Sequence, residues 1–211
     1  MAATNVPGLR RRQQDRTALS DELMTRAAIN LLVDRGLTGT TLAAIGTNAG
    51  YSRGLATHRF GSKSGLFAHV LGYLSGEWLR RLDTAVGVKK GLAALRSAID
   101  ALALYMVEEP DELRVMYLLW YQSLDPGAEF RANVAAVHEA QRRDLAEWIR
   151  QGQVSGEIHG GIDGKQAAMM LAASIAGVVF QWLVTPSLSV ADLHRQLKKD
   201  MTRLLVKGRE L

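Results

Sequence analysis

The sequence predicts an all-α fold, a small N-terminal three-helix unit followed by a larger helical region, and two observations carry that prediction. Apolar residues recur at the three- and four-residue spacing of a helix face through most of residues 20–206, and the pattern breaks at Gly36, Gly50, Pro110, Pro126, the glycine-rich stretch 152–164 and Pro186. The one strand candidate, residues 155–162, is short and broken by glycine, and no internal repeat occurs. At 211 residues the chain is long enough for a proper buried core. It has no cysteine, which excludes a disulfide framework and a thiolate metal site and fits a reducing cytoplasm.

Residues 1–19 read as a flexible basic arm. They carry Arg10, Arg11, Arg12 and Arg16, with no helical pattern and no apolar run that would make a secretory signal. The first helix is expected over Ser20–Arg35, with Leu23, Ala27, Ala28, Leu31 and Leu32 on its apolar face and Gly36 ending it.

Residues 41–63 are the most informative stretch. A short helix runs from Thr41, whose hydroxyl can cap it, to about Asn48, with Leu42, Ile45 and Ala49 on one face. Gly50 can take the left-handed backbone and turn the chain sharply into Tyr51 and Ser52. A second short helix, Ser52 to about Arg59, is capped by Ser52 and is too polar for a core element. Only Leu55 and Ala56 are apolar, while Ser52, Arg53, Thr57, His58 and Arg59 all offer donors suited to phosphates and base edges. Phe60 pins this unit to the body. Ser62 then caps a long helix whose first turn carries Lys63, a natural phosphate clamp.

Charge agrees with a polyanion partner. The formal net charge is +5, and residues 1–65 hold nine Lys or Arg against four acids, so the whole excess lies beside the two short helices.

The helix from Ser62 to about Thr84 buries Leu66, Phe67, Val70, Leu71, Leu74 and Trp78. Five more helical patterns follow, at 89–108, 111–123, 128–153, 163–184 and 190–206. Within the fourth of these, residues 167–184 have only Ser174 and Gln181 polar, close to the length of a membrane span. Richness in Ala and Gly and the amphipathic neighbours argue instead for a helix buried on one side by its own core and on the other by a second copy of the chain. Residues 190–206, with Leu193, Leu197, Met201, Leu204 and Leu205, would be the second dimer helix. Eleven of the thirteen aromatic residues lie after residue 65. Helix 111–123 is densest, with Met116, Tyr117, Trp120 and Tyr121 making a broad aromatic arc.

Catalytic and metal readings are weak. His138-Glu139 opens like a zinc-protease helix, but Arg142 stands where the second histidine belongs. No histidine has Glu three residues before it, and no glycine-rich loop precedes a lysine after a strand. No catalytic residue, metal or cofactor is expected.

The residues from Ser20 to about Leu71 resemble the TetR family of transcriptional regulators. Thr40, Thr41, Ile45, Ala49, Gly50, Ser52, Gly54, Phe60, Ser62 and Lys63 stand at the spacing of its N-terminal signature. Four positions depart from it: Gly46 for a helix former, Thr57 for a phosphate-binding tyrosine, Arg59 for histidine, and Ser64-Gly65 for an acidic pair. The resemblance implies nine helices, with a helix-turn-helix DNA-binding domain at 20–65 and a ligand-binding and dimerisation domain at 66–211. It further implies a homodimer closed by 163–184 and 190–206, and a cytoplasmic repressor released from a palindromic double-stranded DNA operator by a small apolar or amphipathic effector. Under it, Arg53 and Thr57 would touch bases, while Thr41, Ser52, Gly54, His58, Arg59 and Lys63 would complete the DNA-facing set. The effector cavity would be walled by Met116, Tyr117, Trp120 and Tyr121, with Phe130, Met169, Met170 and Phe180 added. The competing reading is an all-helical small-molecule-binding or catalytic protein with only non-specific polyanion affinity.

Overall fold

A computed structural model describes residues 7–206, with side chains from residue 17 onward. Among the described residues there are nine helices and no strand: α1 (Pro7–Gly39), α2 (Leu42–Asn48), α3 (Arg53–Phe60), α4 (Lys63–Val86), α5 (Gly91–Glu108), α6 (Pro110–Gln122), α7 (Arg131–Val154), α8 (Gly164–Val184) and α9 (Val190–Leu205). The chain divides into two compact units within α4, between Tyr73 and Leu74.

In the first unit α1 begins at Pro7, well before the Ser20 expected from periodicity. Proline at the first helical position gives up no intrahelical bond, and the Leu, Arg and Gln that follow are good helix formers. This stretch has no apolar stripe, so periodicity could not reveal it. The side chains of Arg10, Arg11, Arg12 and Arg16 lie outside the described residues. α1 breaks where expected, at Gly36 (φ 65, ψ −171). Its buried face is Met24, Ala27, Ala28, Leu31 and Leu32, whereas Leu23, expected inside, is 40% exposed. Ile45 of α2, Ala56 of α3 and Leu66, Val70 and Leu71 of α4 complete this core. The buried Thr40 hydroxyl donates to the Gly36 carbonyl at 2.8 Å, which satisfies it locally.

The second unit takes the remainder of α4 together with α5–α9. Three of the helix starts have a visible cause. Pro110 opens α6 with Asp111 and Glu112 in its first turn, where the helix dipole favours acids. Asp163 caps α8 by accepting from the Lys165 and Gln166 amides at 2.9 and 3.1 Å, and Ser189 caps α9 through the Asp192 amide at 3.3 Å. Trp78 of α4 stacks on Tyr105 of α5 with ring centroids 5.7 Å apart. Asp100 of α5 accepts from His194 Nε2 at 2.6 Å and pairs with Lys198, joining α5 to α9.

α8 buries Ala167, Ala168, Leu171 and Val179 on one side and exposes Met169, Met170, Ala173, Phe180 and Val184 on the other. By length and composition alone it could cross a membrane. In α4, Gly72 and Gly76 lie on either side of the division between the units, and a Cβ at either would meet only open space.

Candidate functional site

The DNA-reading candidate is built on the turn between α2 and α3. Thr41 caps α2 by accepting from the Ala44 amide at 3.1 Å. After Ala49 the chain enters the left-handed region at Gly50 (φ 79). The Gly50 amide donates to the Thr47 carbonyl at 3.1 Å and the Tyr51 amide to the Gly46 carbonyl at 2.8 Å, the paired bonds of a Schellman motif. Ser52 occupies the N-cap position of α3, but its hydroxyl makes no capping bond, against the sequence expectation.

Close approach of the backbones explains two of the departures from the family pattern. A Cβ at Gly46 would lie 2.6 Å from the Ser52 carbonyl oxygen, so the glycine allows α2 to sit on the entry to α3. A Cβ at Gly65 would collide with the Phe60 carbonyl oxygen. Ser62 still caps α4, accepting from the Gly65 amide at 2.9 Å, without the glutamate of a capping box.

One face of α3 is anchored and the other is open. Ala56 is wholly buried, whereas Ser52, Arg53, Gly54, Thr57 and His58 are exposed. Arg59 behaves differently. Its Nε lies 2.8 Å from Asp21 Oδ1 and its Nη2 donates to Ser20 Oγ at 3.3 Å, so the guanidinium expected to face DNA is engaged by α1. Phe60 packs its ring 5.0 Å from that of His69, whose Nε2 lies 2.9 Å from the Thr25 hydroxyl. Burial holds the His69 ring below its ordinary pKa, with Asp21 opposing and Arg59 adding to the shift. At the start of α4, the Lys63 ammonium sits 5.7 Å over the Phe67 ring.

The second unit encloses a cavity of about 340 Å³. Of the eight expected wall residues, Met116, Tyr117 and Trp120 line it, together with Leu113 from the same face of α6. Tyr121, one residue further round the helix, is 51% exposed and packs its ring 5.4 Å from Phe180. Phe130 is buried but away from the cavity, and Met169, Met170 and Phe180 lie on the exposed side of α8. A helix of 3.6 residues per turn cannot aim all of Met116, Tyr117, Trp120 and Tyr121 inward, and Tyr121 is the one turned out.

Other elements supply walls that the aromatic count did not flag. α4 contributes Ser75, Trp78 and Leu82; α5 Leu95, Ile99 and Tyr105; α7 Val137, Gln141, Asp144 and Trp148; α8 Leu171, Ile175 and Val179. The signal for α7 was present in the sequence, since Gln141, Asp144 and Trp148 share one helix face.

The polar atoms of the walls divide into two kinds. The Tyr117 hydroxyl donates to the Ala176 carbonyl at 3.0 Å, and the Tyr105 hydroxyl to Glu112 Oε2 at 2.8 Å. Burial pushes both phenols well above their ordinary range. Ser75 Oγ and Trp120 Nε1, by contrast, are buried without a hydrogen-bond partner. Trp120 is fixed between two rings, Tyr117 at 4.7 Å and His138 at 4.5 Å. Asp144 is half-buried, and burial raises its pKa; Arg143 opposes the shift and Asp83 adds to it. Such a cavity, apolar with a few fixed polar atoms, has the make-up of a small-molecule site.

Comparison with known proteins agrees with both halves. Residues 25–70 match the family described as bacterial regulatory proteins, tetR family, and residues 91–206 match the BetI-type transcriptional repressor, C-terminal. The HTH-type transcriptional regulator TtgR of Pseudomonas putida is 26% identical over 208 residues, 92% of this chain and 96% of that protein. Among solved structures, SmeT, the repressor of the Stenotrophomonas maltophilia multidrug efflux pump SmeDEF, superposes with a TM-score of 0.74 at 22% identity, covering 90% of this chain and 91% of SmeT. The regulator FadR from Bacillus subtilis in complex with stearoyl-CoA gives 0.77 at 17% identity, over 86% of this chain and 97% of that one.

Proposed function

The chain belongs to the TetR family of transcriptional regulators, and from that premise we propose that it is a homodimeric repressor released from a palindromic operator by a small apolar or amphipathic effector. The observation that carries this reading is α3: a helix anchored by Ala56, held to α1 through Arg59, and bare along Ser52, Arg53, Gly54, Thr57 and His58. Arg53 and Thr57 read base edges in the major groove, while Thr41, Ser52, His58 and Lys63 position phosphates. Arg59 fixes the angle of α3, the role its ion pair supports.

Dimerisation buries the face of α8 that carries Met169, Met170, Phe180 and Val184, together with Leu204 of α9. The two copies of α3 then enter successive major grooves about 34 Å apart. The effector occupies the cavity, one wall of which is the second half of α4, the same helix that begins at Lys63. That the FadR neighbour holds stearoyl-CoA supports a cavity of this fold as an effector site. Release requires the effector to bind the operator-incompetent geometry better than the competent one.

The test is selection of bound sequences from a random duplex pool at near-physiological salt, followed by anisotropy titration of the winner against scrambled DNA. An inverted repeat bound about a thousandfold or more tighter than scrambled duplex is expected. Binding that fades smoothly with salt and enriches no sequence would refute the reading.

A further inference from the structure

We propose that the effector is a lipophilic organic cation, its apolar body within the walls of the second unit and its ammonium against Asp144. This rests on the reading of that cavity as the effector site. Asp144 is the one charged residue in the lining; no lysine or arginine joins it there. Among the described residues its carboxylate has no hydrogen bond and no ion pair. Arg143, its neighbour along α7, is exposed and forms none with it.

Asp144 is half-buried, and with no lysine or arginine in the lining a cation entering the cavity meets its carboxylate without a competitor there. The rest of the lining suits the same ligand. Trp78, Trp120 and Trp148 are half-buried in the walls and offer aromatic surface, which attracts an ammonium as well as an apolar body. Net charge does not supply this preference, because the excess of +5 lies within residues 1–65, so selection of a cation reports a local site.

The experiment uses the full-length protein and three probes of one shape: phenylbutylamine, phenylbutanol and phenylbutanoate. Binding is followed by calorimetry and by the fluorescence of the tryptophans in the walls. The amine is expected to bind at least about tenfold tighter than the alcohol, and the carboxylate weakest of the three. Asp144→Asn should bring the amine to the affinity of the alcohol and leave the alcohol unchanged, while Asp144→Glu keeps the preference. The proposal is overturned if the alcohol equals the amine in the unsubstituted protein, or if the preference survives Asp144→Asn; the effector reading of the cavity then stands. If none of the three binds, both fall together. Should Asp144→Asn not fold, the three-probe comparison in the unsubstituted protein and in Asp144→Glu decides alone.

Discussion

Gly46→Ala sets two effects of similar size against each other. Within α2 the alanine gains about 1 kcal/mol of helix propensity over glycine, and alanine or another helix former is what the TetR pattern carries here. Yet the new methyl would lie 2.6 Å from the Ser52 carbonyl oxygen, and ordinary contact begins near 3.4 Å, so the entry to α3 must retreat by about 0.8 Å. The obstacle is backbone, tied to the Leu55 amide by a 3.0 Å bond, so it cannot swing aside as a side-chain tip would. Overpacking of this kind costs about 1–3 kcal/mol, which leaves the variant unchanged to about 2 kcal/mol less stable. A recognition helix displaced by about 0.8 Å also exceeds the roughly 0.5 Å within which a binding constellation works. A loss of operator affinity of about tenfold or more is expected. Urea unfolding at fixed protein concentration gives the first quantity, and anisotropy on the selected operator gives the second. A variant about 1 kcal/mol more stable with unchanged affinity would show that the close approach exerts no constraint and that the propensity argument wins.

Other perturbations test the remaining parts. Arg53→Ala should lower operator affinity and base discrimination together, whereas Lys63→Ala should weaken all duplexes alike and flatten the salt slope by about one unit; titrations at several salt concentrations separate the two. Phe180→Glu places a charge on the exposed face of α8 and should shift sedimentation from dimer to monomer while helical circular dichroism persists; an unchanged dimer would move the interface elsewhere. Glu112 has its pKa raised, by burial first and by Glu109 and Glu77, against the Tyr105 hydrogen bond and Arg81. The folded state therefore holds that proton more tightly than the unfolded state. Its contribution to stability is present below the ordinary value of 4.5 and declines as pH rises through the folded value. Glu112→Gln should remove this decline from the stability profile, and a profile of unchanged shape would count against it.

The sequence made the reader legible because its geometry is local. Thr41, Gly50, Ser62 and the short spacings among them define caps and a turn with no long-range information, and the structure places Thr41 and Ser62 as caps and Gly50 in the left-handed region. What was not legible depends on how one element meets the next. Ser52 spends no hydroxyl on its cap, Arg59 turns to Asp21, and Gly46 is required by a carbonyl six residues on in the chain. The cavity shows the same limit more strongly. An aromatic count on one helix finds Met116, Tyr117 and Trp120, but whether Tyr121 or Trp148 faces inward is decided by which elements surround it. Asp144 escaped notice because a lone carboxylate on an amphipathic helix looks like an ordinary solvated residue until its surroundings are known.

Gly72 and Gly76 give α4 a mechanical character of its own. Neither position is crowded, so packing does not explain them, and each weakens the helix by about 1 kcal/mol relative to alanine. They lie about one turn apart across the division between the units at Tyr73 and Leu74. Two glycines so close together give this part of α4 its weakest helix propensity. Gly72→Ala with Gly76→Ala should stiffen it, raising stability by up to about 2 kcal/mol while blunting the loss of operator affinity on adding effector. On that outcome, the same two missing methyl groups would set thermal stability against responsiveness.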